Sequence, residues 1–159
     1  MAKFEIKDGI AIIPEGTGEI PNNAFFGCSS LTTVIIPESV TNIGSRAFSD
    51  CSSLTSVVIP ESIKRIGSFA FYGCSSLTSV VIPKSVKTIG NNAFIFCSSL
   101  EIVHLPAGVS NFEFDSFKDC PNLKAIYAPK NKVDFYKEYF PADMRQLIVE
   151  DGSDLPVKP

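Results

Sequence analysis

A step of 23 residues recurs along most of this chain of 159 residues. Five cysteines and five phenylalanines follow the step without a slip: Cys28, Cys51, Cys74, Cys97 and Cys120, with Phe25, Phe48, Phe71, Phe94 and Phe117. The blocks that begin at Cys51 and Cys74 agree at 16 of 23 positions. Such self-similarity predicts a solenoid, because each unit can bury its apolar side chains only against its neighbours.

One repeat contains the parts of a single solenoid coil. Leu54, Val57 and Ile59 follow an L-x-x-L-x-L pattern and are followed by a proline, which predicts a short strand with these three side chains inward. A second extended segment comes next, and Gly67 is expected to permit the turn after it. Phe71 is predicted to lie in a tight helical or 3₁₀ turn that leads to the next cysteine.

The repeated motif C-S-S-L-T-x-V-x-I-P-x-S-V-x-x-I-G-x-x-A-F resembles the BspA-like leucine-rich repeats, which occur largely in bacterial surface proteins. The resemblance covers about Gly9 to Pro129. It implies a mainly-β repeat solenoid with a curved parallel sheet, a role in adhesion or another protein interaction, and a cell-surface or secreted location. It brings no catalytic residues and no cofactor. The first residues lack the regions of a signal peptide, so the residues themselves leave the location open.

Both ends depart from the repeat and are predicted to cap a single leucine-rich-repeat domain over residues 1–150. Residues 1–22 would form the N-terminal cap, in which Asp8-Gly9 is the signal of a type I′ hairpin. Residues 23–129 would form the repeats. Residues 130–150 would form the C-terminal cap, with a helix from Val133 that Pro141 ends and a strand at Leu147-Ile148-Val149. Residues 151–159 are predicted to be a disordered tail.

Charge and composition argue against several classes of function. The formal charge is −3 and no block of five like charges occurs, so nucleic acid is not an expected partner. No run approaches the roughly 20 apolar residues of a membrane span, so membrane insertion is not expected. The recurring glycines never cluster as a phosphate loop and metal-site cysteine spacing is absent, so no cofactor and no metal are expected.

The five cysteines are predicted to form a ladder of buried, reduced thiols. Disulfides are the alternative, because adjacent coils bring backbones within about 4.8 Å, but side chains in a parallel ladder point alongside one another. The single histidine, His104, is expected on the outward face of the strands. A catalytic pair of cysteine and histidine is therefore not expected.

Two surfaces are candidate binding sites. The first, called here the outward row, consists of outward side chains of the strands: Ile35, Val58, Val81, His104 and Tyr127. An exposed apolar row often marks a binding site, although strand propensity alone also favours valine and isoleucine there. The second, called here the turn cluster, lies near the cysteine turn and consists of Phe69, Tyr72, Ile95 and Phe96. Phe69 and Phe96 differ from the residues at the same positions of the other coils. These side chains could instead be half buried against the neighbouring coil.

The sequence therefore predicts a non-catalytic module that binds a protein or host-matrix partner of unknown identity. The alternative is a structural scaffold or spacer that associates weakly with itself. Consensus design or recent duplication would also explain the similarity of the repeats. Five strands give on the order of 400 Å² of outward face, half of the roughly 800 Å² per partner in a standard interface. High affinity would then need the edges and turns, or many copies displayed together.

Overall fold

The computed structural model describes residues 4–110, 112 and 114–151, and shows a mainly-β solenoid of about six coils. The predicted fold class is thereby confirmed. Residues 152–159, which hold nearly all of the predicted disordered tail, lie outside the described residues. In chain order the strands are β1 (Ile6–Lys7), β2 (Ile10–Ile12), β3 (Glu19–Ile20), β4 (Thr33–Ile35), β5 (Asn42–Ile43), β6 (Ser56–Val57), β7 (Arg65–Ile66), β8 (Ser79–Val81), β9 (Thr88–Ile89), β10 (Ile102–His104), β11 (Ala125–Ala128) and β12 (Ile148–Glu150).

The strands form ladders on two sides of the solenoid. On the front side the order is β1-β2-β4-β6, followed by β8-β10-β11-β12, and on the back side it is β3-β5-β7-β9. Every pair is parallel except β1 with β2. Within the repeats, residues paired between adjacent strands are 23 positions apart in the sequence, as Val34 and Val57 are. The 23-residue period therefore sets the register of the sheets.

A column of phenylalanine rings fills the centre of the coils. Neighbouring rings have centroids 5.0–5.2 Å apart and planes within 4–8° of parallel. The column consists of Phe25, Phe48, Phe71, Phe94 and Phe117. Phe4 stacks on its first ring at 5.5 Å and Phe140 lies against its last at 6.5 Å. Residues of both caps thus cover rings that the end coils would otherwise expose.

Three glycines stand where the backbones of adjacent coils approach most closely. A Cβ atom at Gly44, Gly67 or Gly90 would lie only 2.4–2.6 Å from a backbone nitrogen of the preceding coil. The turn expected after Gly67 is present, since the Ala70 N–H donates to the Gly67 carbonyl oxygen, but Gly67 is absent from the positive-φ residues. Glycine is required there because a side chain would push the coils apart.

The caps contain the elements that the sequence indicates, with one difference. Asp8 and Gly9 have φ values of 53° and 80° and join antiparallel strands, as a type I′ hairpin requires. β12 supplies the predicted C-terminal strand and pairs with β11. The helix α1 (Val133–Lys137), however, ends before Pro141. Pro141 instead directly precedes a second helix, α2 (Ala142–Arg145), as its N-cap residue.

Candidate functional site

The outward row lies on the front side, where alternation along each strand turns one side chain away from the core. Ile35 and Val58 are 50% and 60% exposed, whereas Val81, His104 and Tyr127 are half-buried. Val81, His104 and Tyr127 are paired in register across β8, β10 and β11, whereas Val58 directly follows β6. The structure therefore brings the predicted row together along one side of the solenoid.

The outward row extends at both ends beyond the five residues that the sequence predicts. Ile12 pairs with Ile35 and is 65% exposed, and Val149 pairs with Tyr127 and is also exposed. Ile12 stands 23 residues before Ile35, so extending the repeat backwards would have found it. Val149 follows Tyr127 by 22 residues and lies in the cap, so the period does not predict it. We keep the name outward row for the seven residues.

The two halves of the outward row differ in chemistry. The first half is aliphatic, with the exposed side chains of Ile12, Ile35 and Val58. In the second half the His104 ring stacks on the Tyr127 ring with centroids 4.7 Å apart. The Nδ1 atom of His104 also lies 3.4 Å from a carboxylate oxygen of Asp151. A partner would meet an apolar surface at one end and aromatic and polar groups at the other.

The front ladder is interrupted at the centre of the outward row. β6 and β8 are neighbours along the solenoid but belong to separate sheets, whereas the back ladder continues across the same coils. A cleft of about 110 Å³ lies there, with Val58, Val81 and Glu61 among its lining residues. Two members of the outward row, Val58 and Val81, therefore line a recess at its centre.

The turn cluster is a compact group of three rings. The ring of Tyr72 lies 5.7 Å from that of Phe69 and 5.6 Å, edge-on, from that of Phe96. The Arg46 guanidinium lies 4.8 Å from the centre of the Phe69 ring, which is cation–π distance. Ile95 is buried, so its side chain offers little to a partner. Phe96 is 46% exposed and is the most accessible member.

Phe69 and Phe96 have an unusual backbone conformation for aromatic residues. Their φ values are 58° and 61°, in the left-handed region. The other coils have residues of varied type at the same two turn positions, also with positive φ: Asn23, Arg46 and Asn92 at the first, Gly27, Asp50, Gly73 and Asp119 at the second. Left-handed conformation costs about 1–2 kcal/mol for residues other than glycine, and asparagine and aspartate tolerate it best. A strained aromatic residue is therefore a candidate for a role outside the fold.

Phe96→Gly is expected to change the free energy of unfolding by less than about 1 kcal/mol. Release of the left-handed strain, about 1–2 kcal/mol, offsets the loss of a half-buried ring. Glycine occupies the equivalent positions Gly27 and Gly73. Urea denaturation measures the change. A loss above about 2 kcal/mol would show that Phe96 is needed for folding.

Four of the cysteines are buried as predicted, and each thiol has a defined partner. The Sγ atoms of Cys51, Cys74, Cys97 and Cys120 each lie 3.1–3.2 Å from the carbonyl oxygen of the phenylalanine 26 residues earlier and donate to it. Cys28 differs, because it is only half-buried. It belongs to the first coil with a cysteine, and only the N-terminal cap precedes that coil. All five are free thiols in the structure.

Thiol labelling at pH 8 is expected to modify Cys28 first in the native protein, because it is only half-buried, while Cys51 and Cys74 react only after unfolding. Burial raises the pKa of the Cys51 thiol to about 12, and that of Cys74 is raised further, so little reactive thiolate forms. Mass spectrometry after brief iodoacetamide treatment, with and without denaturant, measures this. Rapid native labelling of three or more cysteines would contradict the buried ladder.

The described residues give no support to a metal centre or a membrane span. Among them, no group of three or more His, Cys, Asp or Glu side chains is placed to hold a metal ion. No helix in the same part of the chain is long and apolar enough to cross a bilayer.

Regular parallel coils, a continuous apolar core and an outward row at one repeat position define a leucine-rich-repeat solenoid. The chain belongs to the BspA-type leucine-rich repeat family, because the sequence model of the BspA type leucine rich repeat region matches six copies over residues 18–144. This is a non-enzymatic family of repeat proteins that are typically surface-associated binding modules. The resemblance drawn from the repeat motif is confirmed.

Solved structures of bacterial leucine-rich repeat proteins share the fold. A leucine-rich repeat protein from T. pallidum is 35% identical in sequence and superposes with a TM-score of 0.72. The match covers 75% of this chain and 58% of that protein. A leucine-rich cell surface protein from Faecalibacterium prausnitzii is 28% identical with a TM-score of 0.74, over 92% of this chain and 36% of that one. This chain thus spans between about a third and three fifths of these proteins. No curated protein sequence matches it.

Proposed function

We propose that this chain is a non-catalytic module that binds a protein or matrix partner through the outward row. The observation that carries the proposal is the run of exposed aliphatic side chains at equivalent positions of neighbouring coils, Ile12, Ile35 and Val58, each 50–65% exposed. Strand propensity explains β-branched residues there but does not require three large apolar side chains in contact with water. A partner that covers them would remove this apolar surface from water.

The size of the front face limits the affinity of a single copy. Seven strands, each two to four residues long and about 4.8 Å apart, cover roughly 300 Å². This remains below the roughly 800 Å² per partner of a standard interface. Strong attachment would therefore use neighbouring surfaces or many copies displayed together.

A location at the cell surface or outside the cell belongs to the same proposal. The Faecalibacterium prausnitzii relative, 28% identical, is described as a cell surface protein. A module of this kind would present the outward row to partners outside the cell. Fractionation of the source cells, followed by immunoblotting, tests the location separately from binding.

Val58→Lys with Val81→Lys is expected to weaken partner binding at least about tenfold while the domain stays folded. The side chains point away from the core, and the lysine stems can lie along the surface with their charges in water. A partner that dehydrates the row would have to dehydrate both charges as well. The measurements are thermal unfolding and surface-immobilised binding to a panel of purified extracellular-matrix proteins.

Thr41→Lys with Asn91→Lys is the matched control, because it adds the same charge at exposed positions outside the outward row. It should bind as the parent does. Equal binding by the Val58 and Val81 variant would exclude the row and direct attention to the turn cluster. Self-association without any foreign partner, measured by sedimentation velocity, would favour the spacer function instead.

A further inference from the structure

A groove lies between the last coils and the C-terminal cap, at the end of the solenoid where the repeat pattern stops. Its volume is about 550 Å³, within the roughly 300–1,000 Å³ typical of ligand sites. Its floor is apolar and includes Leu123, Met144 and Leu147. Phe96 lines the groove as well and exposes 46% of its surface. The groove is therefore large enough to accept side chains of a bound segment.

Two carboxylates give the groove a definite charge. Asp119 and Asp143 line it and are both exposed, and the described residues of its lining include no lysine, arginine or histidine. The lining therefore carries negative charge over an apolar floor. Anionic ligands would be repelled, and a purely apolar segment would dehydrate the carboxylates without compensation.

The backbone of Phe96 adds an independent observation. The residue has φ 61°, at a turn position where other coils have glycine or aspartate. Folding is satisfied there by glycine, so the ring is not explained by the coil itself. Its edge-on contact with Tyr72, with centroids 5.6 Å apart, holds the ring at the groove. A strained, exposed aromatic residue beside an apolar groove is typical of a binding site.

We propose that this groove binds an extended segment of a protein partner in which a lysine or arginine stands next to a large apolar side chain. The apolar side chain would lie on Leu123, Met144 and Leu147, against the Phe96 ring. The basic group would remain near Asp119 and Asp143, partly in water, and would contribute attraction and orientation. The groove is separate from the outward row, so this site and the proposed function can fail independently.

The test is selection of a phage-displayed library of random nine-residue peptides against the immobilised full chain. Enriched peptides are then synthesised and titrated by fluorescence anisotropy. The expected sequences contain Lys or Arg beside Leu, Ile, Met or Phe, and replacement of the basic residue by Gln should weaken binding at least about fivefold. Binding should also weaken as salt rises from about 0.05 M to about 0.5 M, because exposed ion pairs are screened.

Two groove variants and one control locate the site. Asp119→Asn with Asp143→Asn removes the charge, and asparagine at 119 tolerates the left-handed backbone that Asp119 has, φ 57°. Phe96→Gly removes the ring at a position where glycine suits the backbone. Each variant should lose at least about tenfold in affinity while melting as the parent does. The Val58 and Val81 double variant should keep full affinity for the peptides.

Three results would overturn the proposal. One is that no peptide is enriched above the bare support. Another is that the enriched peptides are acidic or lack a basic residue. The third is that they bind both groove variants as tightly as they bind the parent. If the peptides lose affinity only for the Val58 and Val81 variant, they occupy the outward row, which supports the proposed function and excludes the groove.

Discussion

Phe71→Ala is expected to lower the free energy of unfolding by about 3–5 kcal/mol, as removal of a large aromatic side chain from a packed interior does. The Phe71 ring is fully buried, with Phe48 and Phe94 stacked on its two faces at 5.1 and 5.0 Å. Its loss leaves a cavity between two coils. Because a solenoid is stabilised by contacts between neighbouring coils, the damage weakens both halves of the domain at once.

Phe26→Ala is the matched control for this experiment. Phe26 follows Phe25 in the same turn of the first coil, but it is 54% exposed. Its truncation is expected to cost less than about 1 kcal/mol, in the range of ordinary surface substitutions. Urea denaturation of both variants with the parent gives the comparison. A loss at Phe71 no larger than that at Phe26 would mean that the ring column does not support the fold.

Gly67→Ala is expected to destabilise the domain by about 2–3 kcal/mol, although it adds only a methyl group. The new Cβ atom would lie 2.6 Å from the backbone nitrogen of Ser45 and 2.7 Å from the carbonyl carbon of Gly44. Both obstacles are backbone atoms of the preceding coil, so rotation of a side chain cannot relieve the clash. The coils would have to separate along the back ladder.

Gly18→Ala provides the control for that prediction. Its Cβ atom would meet no atom within 4 Å, and Gly18 is absent from the positive-φ glycines. The substitution should be neutral or stabilise by up to about 1 kcal/mol, because alanine restricts the unfolded chain. Thermal and urea unfolding of the two alanine variants measure the difference. Equal stability would contradict the close approach of the coils at Gly67.

The sequence predicted most of the fold because one period controls it. A ladder pairs residues one repeat apart, so the direction of Cys51 and Phe71 in one coil determines the direction of their equivalents in the others. The hairpin at Asp8-Gly9 could also be predicted, because these two residues favour the left-handed backbone of a type I′ turn. These features depend on short stretches of sequence or on exact repetition, and both are visible without coordinates.

Other features depend on how unlike segments meet. The interruption between β6 and β8 has no local signal, since the coils that begin at Cys51 and Cys74 have the same first ten residues. The role of Gly67 arises from the distance to another coil. The groove joins Phe96, in a coil of the 23-residue repeat, to Met144, in the helix α2. The left-handed backbone of Phe96, in contrast, is indicated by the sequence. Glycine, which favours positive φ, stands at the equivalent positions Gly27 and Gly73.

A scan of single lysine substitutions over the surface, with folding and partner binding measured for every variant, tests the proposed binding surface most directly. The expected result is that variants which fold normally but lose binding are concentrated at Ile12, Ile35, Val58 and Val81. Variants on the back ladder, such as Glu19→Lys and Thr88→Lys, should bind as the parent does. Concentration of the binding losses on the back ladder, with the outward row unaffected, would contradict the proposal.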